Sequence, residues 1–227
     1  MLGLFMSTGR LLPPHFYPVS QTIPRYRNLQ NIGRPLKAIC SQLLIQSLFP
    51  MQTKTHMKVL ISRMQIADGV ARIGQEITRD FAGQSVILVG VLKGACLFLS
   101  DLARQIELDA TFDFIAVRSY GTQKESAGEV QLIKDVTTPL EDKNVILVED
   151  ILDTGLTFNF LRKLLIARKP RTLKFAALLD KPSRRQMPVQ ADYVGFKIPD
   201  EFVVGYGLDY AERFRNLPDI CVFSEDQ

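Results

Sequence analysis

Cysteine is scarce in this chain, and the spacing of the few cysteines excludes two kinds of cross-link. Cys40, Cys96 and Cys221 are the only three among 227 residues, and no two of them form a C-x-x-C pair. Neither a disulfide framework nor a zinc site is therefore expected. Cys96 and Cys221 stand among apolar neighbours, which is typical of small core residues. We expect a protein of a reducing compartment, the cytoplasm.

Long hydrophobic runs are also missing. The chain is 46% hydrophobic, yet no stretch approaches the roughly 18 to 20 continuous apolar residues that a membrane span requires. The longest clean runs, such as Val86–Leu92 and Val145–Val148, have the length of β-strands. We therefore expect no membrane association, and a chain of this length can bury one sizeable core.

Acidic residues are absent from the first quarter of the chain. The first one is Asp68, whereas residues 1–56 contain six of the 28 basic residues. The other 22 basic residues face all 24 acidic ones, so the balance from residue 57 onward is slightly negative. The positive net charge thus belongs to the amino-terminal segment, and binding to nucleic acid is not expected.

Residues 1–56 also differ from the rest in pattern. They contain six prolines and no sustained hydrophobic period, apart from a weak amphipathic stretch at Leu36–Phe49. We predict a poorly ordered extension over 1–56 and one regular domain over 57–227. The extension partly resembles a transit peptide, because it contains arginine and no acid. Translation from a start upstream of Met57 and a genuine appendage are the alternatives.

From Met57 onward, apolar strands alternate with helices. Steps of three and four between apolar residues predict a helix over 66–81. This alternation predicts an α/β fold, in which a central mainly parallel sheet carries helices on both faces. Ligands of such sheets bind beyond the carboxyl ends of the strands. The other predicted elements are strands at Ser85–Leu92, Phe112–Val117, Val145–Val148, Leu173–Leu179, Tyr193–Phe196 and Phe202–Tyr206, helices at Gly94–Ile106 and Leu156–Ala167, and a polar loop at Tyr120–Gly128.

The segment from Val145 to Thr157 is the most informative one. A buried strand at Val145–Val148 is followed at its carboxyl end by two acids, Glu149 and Asp150, and then by a tight turn at Asp153–Thr157 that opens a helix. The N–H groups at a helix N-terminus form a cradle for a phosphate. Adjacent carboxylates suit the vicinal hydroxyls of a ribose. The segment therefore predicts a site for a sugar phosphate.

Two other interpretations of this segment are less favoured. Asp-Thr-Gly at 153–155 also marks aspartic proteases, but those place it in an all-β setting rather than before a leucine-rich helix. Neither G-x-G-x-x-G nor G-x-x-x-x-G-K-[ST] occurs in the chain, which excludes the commonest nucleotide-binding folds.

Val145–Thr157 resembles the phosphoribosyl-pyrophosphate signature of the type I phosphoribosyltransferases. Four further segments resemble the bacterial hypoxanthine-guanine branch of that family, namely Val91–Gly94, Ser119–Gly121, Leu178–Arg185 and Ile198–Tyr210. The resemblance covers residues 57–223 without a gap. It implies the type I phosphoribosyltransferase fold with a small hood subdomain, and a homodimer or homotetramer. It also implies transfer of the 5-phosphoribosyl group from phosphoribosyl pyrophosphate to hypoxanthine or guanine.

The resemblance implies roles for the residues that would hold the sugar and its phosphates. Asp153 would be the general acid–base at the purine N7, and Glu149 and Asp150 would contact the ribose hydroxyls and are candidate metal ligands. The Leu92–Lys93 peptide bond would be cis. The remaining residues that would bind phosphoribosyl pyrophosphate are Thr154, Gly155, Leu156, Thr157, Lys93, Gly94, Ser119, Tyr120 and Arg215.

The resemblance assigns the purine and the metal ion to the last third of the chain. Lys181 would donate to the oxygen at purine C6, the ring of Phe202 would stack on the base, and Val203 would use its main chain. Asp209 would lie beside the base and be the direct ligand of Mg²⁺. Hard cations take oxygen ligands and keep several waters, so one carboxylate and pyrophosphate oxygens suffice.

Simpler roles for these residues stay open at this stage. Asp153 could be a helix N-cap, Phe202 a core residue, Asp209 a surface turn residue, and Lys93 and Arg215 solvated surface bases. For the whole protein, the alternatives are a xanthine-preferring enzyme and a regulator of the same fold that binds nucleic acid. An acid–base residue, a base-binding lysine and a metal ligand occurring together favour catalysis over regulation.

Overall fold

A computed structural model of the chain describes residues 55–120 and 129–225, and every structural statement below concerns these residues. By its internal contacts the chain divides into Met1–Gln52 and Thr53–Gln227, and all described residues belong to the second unit. The predicted extension lies outside the described residues except for its last two positions. Most of the loop predicted at Tyr120–Gly128 lies outside them as well.

The described part of the second unit contains nine strands and three α-helices. None of these helices is long and apolar enough to span a membrane. In chain order the elements are β1 (Thr55–Ile61), α1 (Arg63–Asp80), β2 (Val86–Leu92), α2 (Cys96–Ala103), β3 (Ala110–Tyr120), β4 (Glu129–Lys134), β5 (Asn144–Leu152), α3 (Leu156–Ile166), β6 (Thr172–Asp180), a 3₁₀ turn (Pro182–Arg184), β7 (Tyr193–Lys197), β8 (Val203–Val204) and β9 (Ile220–Glu225).

Six strands form the main sheet, in the order β4-β3-β2-β5-β6-β7. All neighbouring pairs are parallel except β3 and β4. Alternate residues of β2 point to opposite faces: Leu88 packs in the cluster that contains α1 and α2, and Ile87 and Val89 pack in the cluster that contains α3. Both faces are therefore covered, as predicted for a parallel sheet.

The strand order reverses between β2 and β5. From β2 the chain continues to β3 on one side, and it later returns to β5 on the other side. Loops that leave neighbouring strands in opposite directions open a crevice at the carboxyl ends of those strands. Lys93 and Gly94 follow β2 at this crevice, and Asp153 to Thr157 follow β5.

A second, smaller sheet is built from β1, β9 and β8 in that order. All its pairs are antiparallel, and Met57 of β1 lies opposite Phe223 of β9. It has its own small core around Val204, Cys221 and Phe223. This sheet matches the small hood subdomain that the resemblance implies.

One site-bearing strand is longer than predicted. β5 does not end at Val148 but continues to Leu152, because Glu149 and Ile151 still pair with Ala177 and Leu179 of β6. The prediction that Glu149 and its neighbour follow the strand is therefore wrong. Both acids lie near the carboxyl end of the strand itself, where Glu149 is buried and Asp150 is half-buried.

Two further predictions of elements needed correction. The second helix begins at Cys96 rather than Gly94, since the N–H groups of Ala95 and Cys96 first close a turn onto Val91 and Lys93. The strands β1, β4 and β9 were not predicted. β1 and β4 lie at sheet edges and carry no long apolar run. β9 begins with the apolar run Ile220–Phe223, which the sequence analysis did not assign to a strand.

Candidate functional site

Glu149 and Asp150 form the floor of the crevice. Glu149 is buried, and its Oε2 has no hydrogen-bond partner. Burial and the neighbouring Asp150 raise the pKa of the Glu149 carboxyl to about 8, against the opposing effect of Arg185. Burial also raises the pKa of Asp150 to about 6, although the N–H of Ile151 lowers it. These oxygens are stabilised best by a ligand that supplies hydroxyl donors or a cation.

The turn after β5 has the geometry of a phosphate cradle. Gly155 is the N-cap of α3 at φ 84, a left-handed conformation that glycine adopts readily. A Cβ at this position would lie 2.6 Å from Val189 Cγ2, so a larger residue does not fit. The side chain of Asp153 makes no capping bond to the helix. The alternative that Asp153 is the N-cap is therefore wrong.

A cavity opens directly above this turn. It is lined by consecutive residues from the end of β5 into the first turn of α3, which are Glu149–Gly155, Thr157 and Phe158. Leu156, which the resemblance assigns to the phosphoribosyl pyrophosphate site, is not in this lining. Oδ1 of Asp153 is buried without a hydrogen bond and lies 3.5 Å from Arg184 Nε. The cavity thus presents the candidate acid–base group beside the cradle.

The Lys93–Gly94 loop packs against the floor of the crevice. The Leu92–Lys93 peptide bond is cis, as the resemblance implies. A Cβ on Gly94 would overlap the carboxylate of Asp150, and a Cβ on Gly207 would overlap the carbonyl oxygen of Gly94. The Lys93–Gly94 loop is therefore in close contact with Asp150 of β5 on one side and with Gly207 on the other.

The segment 205–217, called the 205–217 loop below, brings Asp209 and Arg215 to the same place. Arg215 Nη2 lies 2.8 Å from Asp209 Oδ1, and its Nη1 donates to the carbonyl of Gly207 at 2.7 Å. Arg215 Nε is buried without a partner. The charges of Arg215 and Asp209 both act on Asp150, the first lowering and the second raising its pKa. The alternative that Arg215 is a solvated surface base is therefore wrong.

Lys93 is the exposed member of this group. Its Nζ lies 2.9 Å from Glu212 Oε2, and about two thirds of each side chain is exposed. The N–H of Glu212 in turn donates to Asp209 Oδ2 at 2.9 Å. Lys93 is free to exchange this exposed partner for a ligand at low cost.

Lys181 lies beside the end of β5, where its N–H donates to the carbonyl of Leu152 at 3.0 Å, and Phe202 and Val203 follow β7. Lys181 directly follows β6, is 5% exposed, and donates to the carbonyl of Glu201 at 2.9 Å. Phe202 is 51% exposed and makes edge-on contact with Tyr210. The alternative that Phe202 is a core residue is therefore wrong. Val203 is buried in β8.

Two arginines of this region were missed by the sequence reasoning. Arg185 donates to the carbonyls of Leu152 and Asp153 at 3.1 and 2.8 Å and pairs with Asp180. Arg184 lies between Asp153 and Asp200, at 3.5 and 3.6 Å. Their position just after a strand end, in the same run as Lys181, was the signal that could have found them. Ser119 and Tyr120 end β3, and their side chains lie outside the described part of the structure.

The acids at the crevice fit a magnesium ion held partly by substrate. Within the described residues no three His, Cys, Asp or Glu side chains are arranged to hold a metal by themselves. The candidate ligands Glu149, Asp150 and Asp209 are all carboxylates, and one buried oxygen among them has no partner. Mg²⁺ prefers such oxygen donors and is bound by one or two carboxylates together with phosphate oxygens and water.

Comparison with known proteins places this architecture in a family. The phosphoribosyl transferase domain family matches residues 59–211. The hypoxanthine-guanine phosphoribosyltransferase of Bacillus subtilis is 48% identical over 165 residues, which cover 73% of this chain and 92% of that protein. The bifunctional protein TilS/HprT of Listeria innocua is 46% identical over 169 residues, and the chain spans only 26% of its length.

Solved structures agree with this assignment. A crystal structure of a hypoxanthine-guanine phosphoribosyltransferase from Bacillus anthracis is 50% identical, with a TM-score of 0.70 over 73% of this chain and 97% of that chain. A hypoxanthine phosphoribosyltransferase structure from Staphylococcus aureus is 45% identical, with a TM-score of 0.71 over 76% and 92% of the two chains. The chain therefore belongs to the phosphoribosyltransferase family, within the branch of the hypoxanthine-guanine phosphoribosyltransferases.

Proposed function

We propose that this protein is a purine salvage enzyme. It transfers the 5-phosphoribosyl group from phosphoribosyl pyrophosphate to hypoxanthine or guanine, which yields IMP or GMP and pyrophosphate. The observation that carries the proposal is one crevice at the β2–β5 switch point. A phosphate cradle with a candidate acid–base group and a glycine loop packed on a carboxylate lie at this point, and a buried lysine with an exposed aromatic ring nearby follows the adjoining strand β6.

The residues divide between the two halves of the transfer. Breaking the bond from the anomeric carbon to pyrophosphate develops positive charge on the ribose and negative charge on the leaving group. Lys93 and Arg215 bind the departing pyrophosphate, and Thr154 and Thr157 hold the 5′-phosphate at the start of α3. Asp153 accepts or returns the N7 proton of the base.

Asp209 would hold a magnesium ion together with the pyrophosphate oxygens, and Glu149 and Asp150 are the further carboxylate candidates. Such an ion would supply positive charge against the negative charge of the leaving pyrophosphate. The same two acids accept hydrogen bonds from the ribose hydroxyls, which supplies the missing partner of Glu149 Oε2. Ser119 and Tyr120 contribute to the site from the end of β3.

The choice of base follows from the chemistry of Lys181. A lysine ammonium has three donors and no acceptor. Its Nζ is buried and already satisfies one donor on the carbonyl of Glu201. An oxygen at purine C6 accepts a second hydrogen bond, whereas the amino group of adenine presents hydrogens. A buried donor left unpaired costs about 1 to 3 kcal/mol, and more when it is charged.

We therefore expect hypoxanthine and guanine to be used and adenine to be rejected by roughly 10⁴-fold in kcat/KM. The measurement is pyrophosphate release with Mg²⁺, phosphoribosyl pyrophosphate and each of hypoxanthine, guanine, xanthine and adenine. Adenine within tenfold of hypoxanthine would remove Lys181 from its role. Xanthine in first place would instead favour the xanthine-preferring alternative. Release with none of the bases would contradict the proposed function.

We also propose that the enzyme works in the cytoplasm as a homodimer or homotetramer and without nucleic acid. The slightly negative balance after residue 57 supports the last point, since binding to nucleic acid needs a basic surface. Sedimentation of the full chain measures the oligomeric state. A parallel titration with RNA and DNA tests the regulator alternative, which predicts saturable binding at physiological salt.

A further inference from the structure

Tyr206 connects two segments that flank the site. Its hydroxyl donates a hydrogen bond to Asp101 Oδ2 at 2.5 Å, and 8% of the residue is exposed. Tyr206 lies in the 205–217 loop, three residues before Asp209. Asp101 lies on α2, the helix that follows the Lys93–Gly94 loop. The hydrogen bond therefore joins the loop that carries the candidate metal ligand to the helix behind the candidate pyrophosphate loop.

The backbone around Tyr206 is held in an unusual conformation. Tyr206 has φ 48, in the left-handed region that residues with side chains rarely adopt. Its N–H donates to the carbonyl of Leu217 at 2.8 Å, and the N–H of Gly207 donates to that of Arg215 at 2.9 Å. Gly207, at φ 100, packs so closely on the carbonyl of Gly94 that no Cβ fits between them. Tyr206 thus directly precedes the residue at which the two loops touch.

Other links between the two loops are weaker. Lys93 and Glu212 form an ion pair in which both side chains are about two thirds exposed, and such pairs contribute little in water. Tyr206 is buried, whereas the Asp101 side chain is 39% exposed, and its second oxygen pairs with Arg104. The Tyr206–Asp101 hydrogen bond is thus better shielded from water than the Lys93–Glu212 ion pair.

We propose that Tyr206 and Asp101 are positioning residues that set the distance between the Lys93–Gly94 loop and the 205–217 loop. Through this distance they control the binding of the pyrophosphate group together with its metal ion. The inference rests on the proposed function, since it assigns pyrophosphate to these two loops. Both residues act through the Gly207–Gly94 contact and leave the base side of the crevice unchanged.

The chain contains a matched control for this hydrogen bond. Tyr193 is 4% exposed, belongs to the same hydrophobic cluster, and donates its hydroxyl to Asp80 Oδ2 at 3.0 Å. Asp80 pairs with Arg79, much as Asp101 pairs with Arg104. Tyr193 begins β7, at the edge of the parallel sheet opposite the crevice. Tyr193→Phe therefore removes an equivalent hydroxyl without touching the site.

The test compares Tyr206→Phe and Tyr193→Phe in the full chain. Three quantities are measured: the Kd of Mg²⁺–pyrophosphate by calorimetry, the KM of phosphoribosyl pyrophosphate and of hypoxanthine, and Tm. For Tyr206→Phe, the Kd of pyrophosphate and the KM of phosphoribosyl pyrophosphate should rise about tenfold, the effect of one hydrogen bond to a charged group. The KM of hypoxanthine should stay within about twofold. Tyr193→Phe should lower Tm comparably and leave the Kd and both KM values unchanged.

Variants of Asp101 test the same hydrogen bond from its acceptor side. Asp101→Ala should reproduce the loss seen in Tyr206→Phe, and Asp101→Asn, which keeps an acceptor oxygen, should restore most of it. The double variant Tyr206→Phe/Asp101→Ala should bind pyrophosphate no more weakly than either single variant. A pyrophosphate Kd in Tyr206→Phe within twofold of that in Tyr193→Phe would overturn the positioning role. If the increases in pyrophosphate Kd of the two single variants multiply in the double variant, the two residues act independently, and this result would overturn the positioning role as well.

Calorimetry separates this inference from the proposed function. A wild-type chain that binds Mg²⁺–pyrophosphate but forms no nucleotide contradicts the proposed reaction, while the comparison of the two tyrosines still decides the positioning role. A wild-type chain that forms nucleotide but shows no difference between the tyrosine variants contradicts only the positioning role. A wild-type chain that binds no pyrophosphate overturns both.

Discussion

Two strands of the main sheet carry acidic residues in opposite electrostatic situations. Asp113 in β3 accepts hydrogen bonds from the N–H groups of Thr137, Thr138 and Phe114 at 2.7 to 2.9 Å. Although burial raises its pKa, these hydrogen bonds outweigh burial and hold the pKa of Asp113 well below its usual range. Glu149 in β5 has a buried oxygen without a partner, and its pKa is raised to about 8.

The comparison of Asp113 with Glu149 shows that different carboxylates of this fold contribute to stability and to ligand binding. A buried carboxylate that the protein satisfies itself contributes to stability, whereas one that it leaves unsatisfied costs free energy until a ligand supplies the missing partners. Asp113 joins β3 to the segment after β4 and needs nothing from outside. Glu149, Asp153 and Arg215 each keep a buried polar atom without a hydrogen bond, and all three face the crevice.

The largest expected effect comes from replacing Asp153, the candidate acid–base group, which has a buried oxygen without a hydrogen bond. Asp153→Asn should lower kcat by about 10² to 10⁴-fold, the usual contribution of general acid–base catalysis, with a much smaller change in KM. Asp113→Asn is the control from the satisfied region and should leave kcat nearly unchanged. Steady-state kinetics measures both. An unchanged kcat in Asp153→Asn would mean that a buried carboxylate oxygen without a hydrogen bond does not mark a catalytic residue in this protein.

The next effect concerns the metal ion. Asp209→Asn should reduce turnover by about 10²-fold and raise the Mg²⁺ concentration needed for half-maximal rate, because pyrophosphate leaves as a polyanion. Rates are measured across a Mg²⁺ titration for the wild-type chain and the variant. Full wild-type activity in excess chelator would show that the unsatisfied carboxylates do not serve a metal-dependent reaction.

A smaller effect is expected from the satisfied carboxylate. Asp113→Asn should lower the free energy of unfolding by about 1 to 3 kcal/mol near neutral pH, because backbone N–H groups lose a charged acceptor. The folded pKa of Asp113 is depressed, so its contribution is present above the unfolded value near 4 and is lost as the pH falls. The difference in the free energy of unfolding between wild type and Asp113→Asn should therefore become smaller at acidic pH. Urea unfolding at several pH values measures it, and a gap that grows in acid would contradict the assignment.

The smallest effect should come from removing residues 1–56. Among the described residues, a chain that begins at Met57 loses the pairs Thr55–Glu225 and His56–Ser224 at one end of β1. It should fold and keep the surroundings of both Asp113 and Glu149. Its kcat/KM should stay within about twofold of the full chain, and its Tm should be only slightly lower. Kinetics and thermal unfolding test this. Failure to fold would show that the extension is structural.

Much of the site could be predicted from one segment. The run from Val145 to Thr157 shows a strand, two acids and a glycine turn in sequence, and the start of this strand and the turn before α3 form where they were predicted. Lys181, which the resemblance assigns to the base, directly follows β6. Periodicity also predicted the covered parallel sheet, because alternate residues of β2 pack against helices on opposite faces.

The end of β5 could not be predicted, for a physical reason. Glu149 and Asp150 look like loop acids in the sequence, but β6 continues to pair with β5 beyond them. A strand ends where its neighbours stop offering hydrogen bonds, and those neighbours are distant in sequence. The edge strands β1 and β4 were missed on similar grounds, since an edge strand buries little and shows a weak apolar pattern.

The sequence by itself determined the family, the phosphate turn and the residue types at the crevice, because these depend on short patterns and local backbone preferences. Only the tertiary structure decided which acids are satisfied: the sequence does not show that backbone N–H groups reach Asp113 and that none reaches Oε2 of Glu149. Likewise, Tyr206 and Asp101 meet across 105 residues. Hydrogen bonding and burial depend on which distant segments the sheet brings together, and a linear pattern does not carry that information.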